Sequence, residues 1–130
     1  MLEIVGLCIV LNSRNQSICK TEEVDKSRVA GKVINHSPAS SGKYIGSPSI
    51  AITDKGEYIA SHDLFGPGSS YKNTLVFRSE DYGNSWEQIA YLEGQWWSNL
   101  FIHQGKLYIF GTSRRNGQIV IRRSTDRGKT

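Results

Sequence analysis

From residue 47 onward, polar and apolar residues alternate in short runs divided by turn-forming residues. SPSIAIT (47–53), EYIASHD (57–63), NTLVFRS (73–79), WEQIAYL (86–92) and QIVIRRS (118–124) are each rich in β-branched or aromatic side chains. Successive side chains of a strand point to opposite faces, so runs of this kind predict half-buried β-strands. DKG (54–56) closes the first two runs into a hairpin. SNLFIHQGKLYIFGTS (98–113) predicts a matching hairpin that reverses at residues 104–106.

One polar phrase occurs twice between these runs. SEDYGNSW (79–86) and STDRGKT (124–130) share the pattern S-x-D-x-G-x-[ST]; Ser79, Asp81, Gly83 and Ser85 each lie 45 positions before Ser124, Asp126, Gly128 and Thr130. A fixed period of this length marks an internal repeat and points to propeller blades. Each copy follows a predicted strand, and the first is followed by another, so the phrase is the turn of a hairpin. There Asp81 can accept hydrogen bonds from turn amides, Gly83 can take positive φ, Ser85 can add a hydroxyl bond, and Trp86 can cover the hairpin with apolar area.

The phrase resembles the Asp-box of sialidase-like (BNR repeat) β-propellers, complete at Ser79–Trp86 and matched at Ser124, Asp126, Gly128 and Thr130 as far as the chain runs. In that family the box joins the third and fourth strands of a blade and is structural. The resemblance implies an all-β fold of four-stranded antiparallel blades, an incomplete propeller of about two blades with the fourth strand present only in the first. The loop after the second strand is long in the first unit (64–72) and short in the second (114–117). A propeller ring needs about four to eight blades. The 130 residues are therefore read as the N-terminal part of a larger propeller, spanning 24–130 and inactive alone.

Residues 1–23 are open to two readings, a signal or leader segment and a first strand. An apolar block (4–11) follows Glu3, where a secretory signal would carry positive charge, so a signal and a first strand both remain open. Cys8 and Cys19 fall within or beside this segment, and cleavage would leave no cysteine. The expected location is secreted or periplasmic. No apolar run reaches membrane-spanning length, and hydrophobic residues at 38% with charged ones at 22% describe an ordinary globular chain. Net charge is +4, with Arg114, Arg115, Arg122, Arg123, Arg127 and Lys129 crowded near the C-terminus. Arg122 and Arg123 are strand neighbours and face apart, which breaks a continuous basic stripe and argues against nucleic acid. Scattered surface charge and recognition of a carboxylate-bearing sugar are the remaining readings.

Strand alternation sorts the loops. The repeated turns and the hairpin turns at 54–56 and 104–106 gather at one end; residues 36–47, 62–72, 93–97 and 114–117 gather at the other. His103 falls on the first side and reads as surface. His36 and His62 are the candidates for proton exchange near neutral pH, against a structural hydrogen-bonding role. Asp63 can orient a histidine or bind a sugar hydroxyl, although its neighbour His62 faces away. Trp96 and Trp97 can stack on a sugar ring or fill space between blades, and one of the two is expected to do the latter. Tyr44 and Tyr71 carry the same alternatives.

NHSPAS, YIGSPSIA, ASHDLFGPGS and FRSEDYGNSW together resemble the N-terminal blades of propellers that cleave rhamnose-to-glucuronic-acid linkages by hydrolysis or elimination. That resemblance implies histidine-based proton transfer by His36 and His62 and uronate binding by Arg114 or Arg115. It implies an acidic oligosaccharide or polysaccharide as partner, and no metal or cofactor. An exo-sialidase is the second reading, lacking an early Arg-Ile-Pro signature here, and a non-catalytic glycan- or protein-binding propeller is the third. Oligomeric state is not legible.

Overall fold

The computed structural model describes residues 25–128, so the segment 1–23 expected as a signal or leader, both cysteines, Lys129 and Thr130 lie outside the described residues. Seven strands follow in order: β1 (Tyr44–Ile52), β2 (Tyr58–Phe65), β3 (Asn73–Ser79), β4 (Glu87–Glu93), β5 (Trp96–His103), β6 (Lys106–Thr112) and β7 (Ile119–Ser124). They form two antiparallel sheets, β1-β2-β3-β4 and β5-β6-β7, each strand pairing with its neighbour in sequence. The only helical element among the described residues is a single 3-10 turn, Ala39–Ser41, ahead of β1.

The sheets lie face to face. Ala51, Ile59 and Val76 from the first meet Leu100, Leu107 and Ile109 from the second, with Ile89, Ala90, Leu92 and Ile102 packed around them. Alternation along each strand delivers this layer: Ala51 pairs with Ile59, and Leu100 with Ile109, so each pair shares one face of its sheet. Burying such a layer is the main stabilising term, about 1.5–3 kcal/mol for each large apolar side chain.

The first strand of each sheet starts earlier than the apolar runs suggest. β1 begins at Tyr44 and β5 at Trp96, and each crosses a register shift, between Gly46 and Ser49 and between Trp96 and Asn99. Ser47 (φ 50°) and Trp97 (φ 53°) take the left-handed conformation inside these bulges. The extra residue lets the strand bend and then pair again. Trp86 lies in the turn and β4 starts at Glu87, one residue later than expected.

Candidate functional site

The repeated turns close on themselves. In the first, the Ser79 hydroxyl donates to Asp81 Oδ1 at 2.8 Å and accepts from the Gly83 amide at 2.8 Å. The Ser85 amide (2.8 Å) and hydroxyl (2.6 Å) donate to the Asp81 carboxylate, and Trp86 Nε1 donates to the Gly83 carbonyl at 3.0 Å. The second turn repeats the scheme: Ser124 Oγ donates to Asp126 Oδ1 at 2.8 Å and accepts from the Gly128 amide at 2.7 Å. Backbone angles match as well, with Tyr82 and Arg127 at φ 59° and 63°, and Gly83 and Gly128 at 87° and 88°. The Ser85 hydroxyl first, then its amide and the Ser79 hydroxyl, holds the Asp81 carboxyl down at about 2. This carboxylate organises a turn and has no spare role in proton transfer.

The opposite end gathers the aromatic and basic residues. Trp96 is buried and packs against Phe65 (ring centroids 4.7 Å apart) and Tyr71 (5.7 Å), and its indole N–H donates to the Leu64 carbonyl at 3.0 Å. It therefore pins the loop after β2 to the second sheet. Trp97, turned outward by the bulge, is 64% exposed, and Tyr44 is also exposed. One tryptophan fills space and the other is presented to solvent. The Arg115 guanidinium lies 5.4 Å from the Tyr71 ring centroid, and its amide donates to the Tyr71 carbonyl at 2.9 Å. Arg114 and Arg115 are both exposed on the loop between β6 and β7. Arg122 instead turns toward the first sheet and donates to the Glu93 carbonyl at 2.6 Å, so it and Arg123 face apart.

The histidines differ in kind. His36 is exposed, and its amide donates to Asn35 Oδ1 at 2.8 Å. That bond turns the Asn35 NH2 toward His62, whose Nε2 lies 2.8 Å from it. His62 Nε2 is then the acceptor, and the ring proton sits on Nδ1, which makes no well-formed hydrogen bond among the described residues. His62 is buried and stacks on Phe77. Burial lowers its pKa, partly offset by the Asp63 backbone and charge, so it favours the neutral ring.

Asp63 departs from the sugar-ligand alternative. It is 0% exposed and faces the second sheet, away from His62. The Thr74 hydroxyl donates to Oδ1 and the Ser98 amide donates to Oδ2 at 2.7 Å. Burial pushes its carboxyl up, while bonds from Thr74, Ser98 and Ser47 pull partly back. With these donors satisfied and no solvent contact, Asp63 is a bracket between the sheets rather than an open ligand. Ser98, its key partner, carried no sequence signal, because the bulge that aims its amide is made by a tryptophan.

Among the described residues, no group of three or more His, Cys, Asp or Glu side chains could hold a metal ion, and no helix is long and apolar enough to cross a membrane. No protein-family model matches the chain, and no curated protein matches it in sequence.

Proposed function

We propose that the two sheets are blades of a sialidase-like β-propeller and that the protein built on them removes a terminal sugar from a uronate-containing glycan. The observation that carries this reading is the division between the two ends. One is made of turns whose polar groups satisfy one another; the other offers Trp97, Tyr44, Arg114, Arg115 and His36. An exposed indole gives a sugar ring an apolar face, and a guanidinium matches a carboxylate with paired N–H donors. His36 is the freer imidazole for proton transfer, either to the departing glycosidic oxygen or, in an elimination, from the carbon beside the carboxylate. His62 acts through Asn35 as a positioning residue for the His36 backbone.

The burial of His62 and Asp63 favours one competing reading, a propeller that binds acidic glycans without cleaving them. Assay of sugar release from rhamnose-capped glucuronate oligosaccharides by the protein carrying this chain separates the two. His36→Ala is expected to lower kcat by about 100-fold or more, with an unchanged circular dichroism spectrum. Trp97→Ala is expected to raise KM with little change in kcat. Full turnover by His36→Ala would remove this residue from the mechanism, and binding without any release by the unaltered protein would favour the competing reading.

A further inference from the structure

Residues 32–38 belong to no strand or helix, so side chains rather than a strand ladder hold His36 in place. On one side the Ser37 hydroxyl donates to the Lys43 carbonyl at 2.9 Å. On the other, Asn35 Oδ1 accepts from the His36 amide at 2.8 Å, while Asn35 Nδ2 donates to His62 Nε2 at 2.8 Å. A single side-chain amide thus joins the two histidines. Its oxygen only accepts and its NH2 only donates, so this arrangement holds as long as His62 Nε2 carries no proton.

Protonation of His62 breaks the match. Nε2 becomes a donor and meets the Asn35 NH2, donor against donor. The His62 ring is 5% exposed and stacks on Phe77 with centroids 5.4 Å apart, so it is the less free partner. Asn35 is only half-buried, and rotation about its last side-chain bond exchanges oxygen and nitrogen. Its oxygen then accepts from the imidazolium, its NH2 faces the His36 amide, and that amide loses its acceptor. Little other charge bears on the ring among the described residues. Leu75 and Phe77 of β3 and Pro48 of β1, which lines the same groove, do not ionise. The segment before β1 brings Asn35 and, one residue on, the titratable His36. On β2, Asp63 faces the other sheet and favours the charged ring less than burial opposes it, so His62 takes up its second proton below 6.5.

We infer that Asn35 is a positioning residue that couples the two histidines: with His62 neutral its amide holds the His36 backbone, and with His62 protonated the amide turns over and releases it. The coupling is a property of this chain alone. Its consequence, that acid disables proton transfer by His36, rests on the reaction proposed above.

An NMR titration of the isotopically labelled full chain tests the coupling. The His62 ring is expected to titrate below 6.5, and the Asn35 NH2 and His36 amide signals should move with the same midpoint, apart from any step belonging to the His36 ring. Asn35→Asp supplies two oxygens, one for the His36 amide and one for the imidazolium. It should raise the His62 midpoint by about one pH unit or more and remove the His62 step from the His36 amide. His62→Gln offers an acceptor oxygen at every pH and should remove that step as well; where it unfolds, Asn35→Asp carries the test. A His36 amide that ignores the His62 step in the unaltered chain overturns the coupling, as does an Asn35→Asp variant whose His62 midpoint stays or falls. In the protein carrying this chain, the acid limb of sugar release should follow the His62 midpoint and lose that step in Asn35→Asp. Coupling by NMR without any sugar release leaves the inference standing and removes the reaction. Sugar release that needs His36 in a chain without the coupling does the reverse.

Discussion

Asp81 shows how a carboxylate in a hairpin turn can be committed to structure. Its ionised form accepts the Ser85 hydroxyl and amide and the Ser79 hydroxyl, which lowers its pKa from 3.8 to about 2. A depressed carboxylate stabilises the fold above its unfolded pKa and loses that contribution as pH falls through the folded one. An NMR titration of the Asp81 carboxyl should therefore give a midpoint near 2, and Ser85→Ala, which removes the largest cause, should move it toward 3.8. Asp63 lies in the opposite setting, wholly buried, where burial pushes its carboxyl up. Asp63→Asn keeps the shape but turns an NH2 toward donors, leaving buried groups unpaired, and should cost about 2 kcal/mol in urea unfolding. At Trp97 stability and binding pull apart. A glycine there accepts the left-handed backbone without strain, so Trp97→Gly should unfold no earlier in urea, while affinity for the proposed glycan should fall.

The bulges at the starts of β1 and β5 work at the scale of the element. Each shifts register so that a side chain or amide points where regular pleating would not send it: Ser47 toward Asp63, the Ser98 amide toward the same carboxylate, and Trp97 into solvent. β6 accommodates the second bulge through Gly111, where a Cβ would approach the Trp96 carbonyl to 2.5 Å. Gly111→Ala must push backbone aside and should lower thermal stability by about 1–3 kcal/mol, measured by calorimetry. The order of the strands, their hairpin turns and the polar bonds of the repeated motif were legible, because alternation and Gly, Asp and Ser placement are local signals. The bulges were not, since serine and tryptophan do not announce positive φ. The role of Asp63 was hidden with them, because its partners lie on another sheet. For the two tryptophans the sequence offered a choice, and the bulge decides which one is presented to solvent.

Across the whole molecule, the sheets are joined by contacts of different character at their two ends. At the repeated turns, Arg127 Nη1 lies 3.1 Å from Glu57 Oε1, bringing the second motif onto the first hairpin. Arg127 is about one-third exposed, so solvent screens the pair, and Arg127→Ala should cost about 1 kcal/mol or less and matter less as salt rises. At the other end, Trp96 and Arg122 reach across to backbone carbonyls of Leu64 and Glu93.

Asp63 sits between these ends, drawing donors from β3 and from the start of β5. Pulling the second sheet away would break the bond from the Ser98 amide to this carboxyl and expose the apolar layer that the two sheets share. Arrays of repeats can melt unit by unit, but this shared bond and layer make partial melting unfavourable for either half. Calorimetry of the chain should therefore show a single cooperative transition, and loss of the carboxylate should allow it to divide into two.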